Sequence, residues 1–323
     1  MNKAKHASLE TTVRKLSFIF LSGLLPFCGT LLADDDAIIE NQNVSKENMQ
    51  TEENAKQGIF NVSAKGDWIQ KAKIDKRGFP HNHLKFWQAN AEATAIVYYN
   101  PQCKEGLALG VGYDHVYFNW NENFYFCQKK FDALTFALSA FSMRVCDWLW
   151  QAQISMNCDT RHWNFSEYTN YDLFLWGRYE FCNDVNFHAG FYAQTGMKID
   201  HIYPVLGFDW KINEQWKLNL VYPFNMSLVY TYTDTLSAAL AVRLFNVRYR
   251  VGKHEPLREG LFQYRNAGLE FVVNYDNKKY SANVHAGYTW GGQFVISDKN
   301  NKHKRHFNLD AAPYVGGEIA VKF

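Results

Sequence analysis

From Gln57 onward, apolar and polar residues alternate with a period of two along most of the chain. Leu107, Leu109, Val111 and Tyr113 share one face, against Ala108, Gly110, Gly112 and Asp114 on the other. Trp148, Trp150, Ala152, Ile154 and Met156 oppose Leu149, Gln151, Gln153, Ser155 and Asn157. Between Tyr171 and Phe181 the apolar set is Tyr171, Leu173, Leu175, Tyr179 and Phe181, leaving Asp172, Trp176, Arg178 and Glu180 on the opposite face. Tyr280, Ala282, Val284, Ala286, Tyr288 and Trp290 repeat the pattern, and so does the last stretch through Val315, Gly317, Ile319, Val321 and Phe323. Side chains that alternate in this way belong to β-strands with one greasy face.

The connections between these strands come in two lengths. Short polar breaks at Asn100-Pro101-Gln102, Asn183-Asp184, Asn213-Glu214, Thr233-Asp234 and Asp276-Asn277-Lys278 alternate with longer stretches such as Trp120 to Lys129, Asp159 to Tyr168, Gly252 to Leu261 and Gln293 to Asn308. That alternation predicts an all-β, antiparallel, up-and-down transmembrane β-barrel, with short turns at the periplasmic end and longer loops outside. Counting elements gives about 14 strands, the first near Gly58 to Gln70. Because Trp216 to Tyr222 and Met226 to Thr233 are short for tilted spanning strands, a count of about 12 is the alternative, and Gln57 to Gln70 is the element it would lose.

Composition fits such a wall. Among 323 residues, 19 Tyr, ten Trp and 25 Phe exceed what a globular core uses, whereas interfacial girdles consume them. Lys3, Lys5, Arg14 and Lys15 before the apolar run Leu16 to Phe27, with Ala33 at the cleavage side, read as a signal peptide over residues 1–33. Residues 34–56, rich in Asn, Glu, Gln and Asp, read as a disordered periplasmic arm, and residues 57–323 as the barrel. Removing the leader takes the formal charge from +2 to −1, which gives nucleic acid no foothold.

The run Pro204 to Pro223 carries a Gly, a Trp, an Asn-Glu turn, a second Trp followed by alternating Leu, and a closing Pro. It resembles the central signature of an uncharacterised bacterial family of outer-membrane β-barrels of unknown function, as do Leu228 to Leu236 and Asp310 to Pro313. That resemblance implies the barrel fold and the outer membrane, and it brings no activity. The terminal strand also resembles the closing strand of bacterial outer-membrane barrels, which implies Phe323, Val321 and Ile319 as an assembly signal. The implied partners are outer-membrane lipid and the barrel assembly machinery.

Candidate chemistry is sparse. The expected inner face carries Glu92, Asp114, Asp172, Arg178, Glu180, Lys217, Arg243, Glu270 and Glu318, a mixed set that suits a water-filled passage. Lys299, Lys302, Lys304 and Arg305, with His303 and His306, form a basic run in the last external loop, a candidate anion-binding surface. Of the five cysteines beyond the leader, Cys127 and Cys158 flank one hairpin at its external end and are the disulfide candidates. Cys103, Cys146 and Cys182 fall at successive periplasmic turns and are candidates for cross-links to other envelope proteins. His115, His188, His201 and His285 are scattered, with no GxSxG, HExxH or glycine-rich phosphate motif and no metal-ligand spacing, so no enzyme activity, cofactor or metal is expected. The leading functional expectation is a passive diffusion channel for small hydrophilic solutes. A non-conducting structural or adhesive barrel is the alternative, and an outer-membrane lipid-modifying enzyme a second one.

Overall fold

The computed structural model describes residues 60–75, 82–102, 104–120, 123–145, 148–162, 164–277 and 279–323. The expected leader and arm, residues 1–56, lie outside them. The described residues form β1 (Phe60–Asp75), β2 (His83–Asn100), β3 (Glu105–Trp120), β4 (Lys130–Val145), β5 (Trp148–Asp159), β6 (Thr169–Cys182), β7 (Val185–Gly196) and β8 (His201–Lys211). They continue through β9 (Trp216–Tyr222), β10 (Asn225–Thr233), β11 (Leu236–Arg250), β12 (Leu261–Asp276), β13 (Tyr280–Thr289), β14 (Gly292–Ser297), β15 (Arg305–Leu309) and β16 (Pro313–Lys322).

Each strand up to β12 pairs antiparallel with the next. β13 then runs along Gly268–Asp276 of β12 and β14 along Leu261–Arg265 of the same strand, so the two are one wall strand broken at Trp290 and Gly291. β15 and β16 are likewise one strand, broken between Leu309 and Pro313, with partners on β14 and β13. The wall therefore has fourteen positions. It closes where β16 pairs with β1 from Asn61↔Lys322 to Ile69↔Tyr314. Phe323 N donates to Phe60 O at 2.8 Å, Phe60 N returns a bond to Phe323 O at 3.3 Å, and the two rings meet at 6.0 Å. Closure leaves no open sheet edge along this seam, the condition for β-structure in lipid.

The described part of the stretch Gln57 to Gln70, from Phe60 on, is thus inside the wall as β1, and the count of 14 holds over that of 12. The short β9 and β10 are wall strands as well, which lowers the barrel there. Seven residues at about 3.3 Å each, tilted about 40°, rise about 18 Å, less than the about 25 Å of a typical apolar band.

The outer face is exposed and apolar: Leu107, Leu109, Val111 and Tyr113 on β3, Leu206 on β8, Phe271 on β12 and Ile319 on β16 all stand out. Aromatic side chains mark both margins of this face. Phe60, Phe181, Trp210, Trp216, Tyr280 and Phe323 lie toward the end where the turns are short, and Trp68, Trp87, Tyr171, Tyr288 and Trp290 toward the end with long loops. Two aromatic belts around an apolar band are what a headgroup layer on each side selects. In the signature hairpin the Trp216 ring packs on Tyr230 of β10, at 4.9 Å, rather than pairing with Trp210.

At the loop end, the sheet leaves the circle. β10 pairs with β11 only from Leu236 to Ala241, and from Val242 onward β11 follows β12 away from the wall. A ring of fourteen strands about 4.8 Å apart and tilted about 40° is about 28 Å across, so β11 ought to stand far from β4 to β6. Instead, Tyr249 stacks on Phe131 of β4 at 5.0 Å, and Arg248 bonds Asn170 of β6 at 2.6 Å. The upper halves of β11 and β12, with β14 and β15, fold inward as a four-stranded flap across the barrel mouth. The wall breaks fall on its hinge line: Gly291, at φ 92°, and the break before Pro313 are where β13 and β16 stop and the flap begins. A Cβ on Gly291 would sit 2.7 Å from Leu309 O, so the bend requires glycine there.

Candidate functional site

The candidate site is the enclosed space, and the flap divides it. On one side, the flap's Phe245, Val247, Tyr249, Phe262, Tyr264, Phe294, Ile296 and Phe307 pack against Ile69, Leu84, Phe86, Val116, Phe118, Trp120 and Phe131 from β1 to β4. Phe86 stacks on Tyr264 at 4.7 Å, and Phe262 meets Phe131 at 4.6 Å and Phe118 at 5.1 Å. An aromatic core, not water, fills this part of the mouth. The loop 251–260 at the flap's tip is tied to the far wall: Gly252 N to Gln128 Oε1, Leu257 N to Tyr125 O, Arg250 Nε to Glu167 O, and Tyr168 OH to Val251 O. Burial, with the Glu259 carboxylate nearby, pushes the Tyr168 hydroxyl up to about 12, so it stays a donor at neutral pH.

Toward the end where the turns are short, the interior is polar. Buried Asp67 of β1, Glu270 of β12, His285 of β13 and Tyr314 of β16 form one network across the closing seam with half-buried Arg243 of β11. Arg243 Nε reaches Glu270 at 2.6 Å, His285 Nε2 meets Asp67 at 2.7 Å, and Gln88 and Tyr314 add bonds to Asp67 and Glu270 at 2.7 and 3.1 Å. A second belt circles six strands. Asn90 donates to Asp114, Thr135 to Asn157, Asn157 to Asp172, and Tyr192 and Gln194 also to Asp172, all within 3.0 Å. Elsewhere His188 pairs with Asp209, and its Nδ1 accepts a hydrogen bond from the Trp176 indole N–H at 3.0 Å. Among the described residues, the hydrogen-bond partners of His188 and His285 are carboxylates, Asp209 and Asp67, with Trp176, Asn283 and Arg243.

All nine expected inner-face residues lie in the inward register. Glu92, Asp172, Arg178 and Glu270 are buried, Asp114, Lys217, Arg243 and Glu318 half-buried, and Glu180 is exposed at the turn end, 3.2 Å from Arg178. The structure joins Arg243 to Glu270, Arg178 to Glu180, and Asp114 to Asp172 through the belt; it does not gather all nine at one constriction. Alternation alone missed Asp67, His285, His188 and Asp209 as network members, because partners one to several strands apart are set by register.

The structure does not join the disulfide candidates Cys127 and Cys158. Cys158 is a buried free thiol on β5 that accepts from Thr169 Oγ1 at 3.8 Å, and Cys127 is exposed and free in the β3–β4 loop. That loop turns toward the flap, where Glu255 binds Cys127 N, and so carries its thiol away from β5. Cys182 is free and exposed at the turn end, while Cys103 and Cys146 lie outside the described residues. In the basic run, Lys299, Lys302, Lys304 and Arg305 are exposed at the loop end, and Arg305 is held by Tyr125, whose hydroxyl it reaches at 2.7 Å. Asp298 binds His303, Lys302 N and Asn300 N, and these bonds hold its carboxyl below the usual range.

A closed, antiparallel, fourteen-stranded wall with an apolar aromatic-belted exterior and a hydrogen-bonded polar interior defines the class: an outer-membrane-type β-barrel. The chain belongs to the family described as Domain of unknown function (DUF6268), whose model matches residues 149–322. It is 26% identical over 191 residues to an uncharacterized protein of Chlamydia pneumoniae, an alignment covering 58% of this chain and 60% of that protein, so the match spans under two thirds of that relative. An uncharacterized protein of Chlamydia trachomatis is 22% identical over 79% of this chain and 84% of its own length. Similar solved structures include the COG4313 outer membrane channel from Pseudomonas putida F1, at TM-score 0.46 and 6% identity over 82% of this chain and 96% of that one. The translocator domain of the autotransporter NalP from Neisseria meningitidis gives 0.35 and 11% over 91% and 97%.

Proposed function

We propose that this protein is exported to the bacterial outer membrane by its leader and acts there as a selective channel for small hydrophilic solutes, wide and charged at the turn end and narrowed by the flap at the loop end. The observation that carries this reading is the turn-end interior, where Arg178, Glu180, Lys217 and Glu318 face a space that fourteen strands make too wide for side chains to fill. Charges on that wall set the field an ion meets. The lipid-facing Phe323, Val321 and Ile319 fit an assembly signal at the seam. The test is conductance of the refolded mature protein in a planar bilayer, with Arg178→Ala and Glu180→Ala alongside. Discrete steps whose ion selectivity shifts with either substitution support the channel. A folded, heat-modifiable barrel that stays silent would overturn it and favour a non-conducting structural or adhesive barrel, the reading to which the aromatic core in the mouth gives weight.

A further inference from the structure

One sector of the outer face, β1 to β4 near the long loops, is basic rather than apolar. Its outward side chains alternate with Leu84, Phe86, Val116 and Phe118 of the interior and follow one another in register. Lys73 lies beside His83, Lys85 beside Asn119, Tyr117 beside both Trp87 and Lys130, and His115 beside Asp132. Lys129 Nζ reaches Asn119 at 3.5 Å, and Arg161, just past β5, reaches Asp132 at 2.9 Å. These cations all stand on one side of the barrel. The outward positions of β5 to β8 nearest their loops, Cys158, Thr169, Thr195 and Ile202, are uncharged.

The positive charge of this sector is not cancelled on its own face. Asp132 is the one carboxylate at these outward positions, and Tyr113, His115 and Arg161 already take it. Among the described residues no carboxylate pairs with Lys85, Lys129 or Lys130. Exposed Asp310, whose N donates to Lys73 O at 2.9 Å, marks the far margin of the patch. Lys85 and Lys130 are therefore the cations with charge to spare.

Their depth follows from the aromatic belt. Trp68 and Trp87, opposite each other and exposed, belong to the belt at the loop end, and Lys85 is two residues beyond Trp87 on the same face. Indole rings mark the headgroup layer, so an ammonium group one step farther out lies level with lipid phosphates. On the membrane side of Trp87, the outward positions of β2 are Ala89, Ala91, Ala93 and Ala95, and the last three lie beside the larger Tyr113, Val111 and Leu109 of β3. From Ala89 to Ala95, six steps of about 3.3 Å tilted about 40° descend about 15 Å, half of an about 30 Å hydrocarbon core. A lipid meets both the cations and this shallow lane, whereas a free anion meets only the cations.

We propose that the outer face of β1 to β4, through Lys85, Lys130 and Arg161, is a docking surface for a lipid with a phosphate-bearing headgroup in the leaflet at the loop end. The phosphate sits among the cations, which donate charge-assisted hydrogen bonds to its oxygens, and a chain lies along the alanines of β2. The surface is on the outside of the wall and does not depend on conduction. It goes beyond the channel reading and rests only on the barrel standing in a membrane.

The experiment is native mass spectrometry of the refolded full chain in detergent, titrated with phosphatidic acid and with phosphatidylcholine of the same chains. Two double variants accompany it, with heat-modifiability confirming that each is folded. Lys85→Gln with Lys130→Gln alters the patch, and Arg258→Gln with Lys302→Gln removes the same charge from exposed loops at the mouth. Saturable binding of phosphatidic acid in preference to phosphatidylcholine is expected, weakened roughly tenfold in the first double variant and unchanged in the second. Equal affinity for the two lipids, or equal loss in both double variants, would overturn the docking surface. Displacement of phosphatidic acid by an equal concentration of glycerol 3-phosphate, which has the headgroup without the chains, would also overturn it, because the cations would then hold a free anion.

Discussion

The residue that ties the interior together is Arg243. It lies between Asp67 of β1 and Glu270 of β12, carboxylates whose side chains are only 1% and 5% exposed and which closure of the ring brings within reach of one guanidinium. Removing the cation leaves both carboxylates without their principal charge partner, and breaking such a buried pair costs about 3 to 5 kcal/mol. Arg243→Met is expected to lower stability by that amount in urea titrations of vesicle-refolded protein, and Glu270→Gln in the same background to recover part of it. An unchanged midpoint would mean that water in the interior already screens the network. Arg243 and Glu270 were legible as inward charges from strand phase. Their association with Asp67 and His285 was not, because the contact joins residues more than 170 positions apart through closure of the ring, and nothing local encodes that.

At the scale of the element, the strand pattern told nearly the whole story of the wall, and its one failure marks the flap. Along β11 the apolar row Leu236, Leu240 and Leu244 continues in phase to Asn246, Arg248 and Arg250. On a lipid-facing wall an arginine costs about 2 to 4 kcal/mol at the bilayer midplane. The phase was therefore a sign, present in the sequence, that β11 leaves the membrane surface; the direction it takes was set by Phe245, Val247 and Tyr249 finding Phe86, Phe118 and Phe131 across the barrel. The β3–β4 connection that carries Cys127 is tied to the flap as well, where Glu255 accepts from Cys127 N and Tyr125 O from Leu257 N. Phe262 is fully buried in that cluster, and Phe262→Ala is expected to cost about 3 to 5 kcal/mol. On the proposed channel reading the variant should also raise single-channel conductance, because the core it weakens holds the flap over the mouth. Lower stability with unaltered conductance would place the ion path on the other side of the flap.

For the whole molecule, fourteen strands and a closed seam were within reach of the sequence because alternation, loop length and the terminal strand agree, each reporting the same up-and-down ring. The occluded mouth was out of reach, since loop length says nothing about where a loop goes. The flap decides how the barrel can work: an open ring of this size passes solutes freely, whereas a ring crossed by a sheet passes only what fits beside it or moves it. The most direct measurement is a spin-label distance in outer-membrane vesicles between Ser166, in the β5–β6 loop, and Arg258, at the flap's tip, with native cysteines changed to serine. A flap folded across the mouth, with Arg250 bound to Glu167 O at 2.7 Å, predicts a narrow distribution centred below about 20 Å, allowing for label length against a ring about 28 Å across. A distribution centred at or beyond the ring diameter would contradict it and leave an open-mouthed barrel.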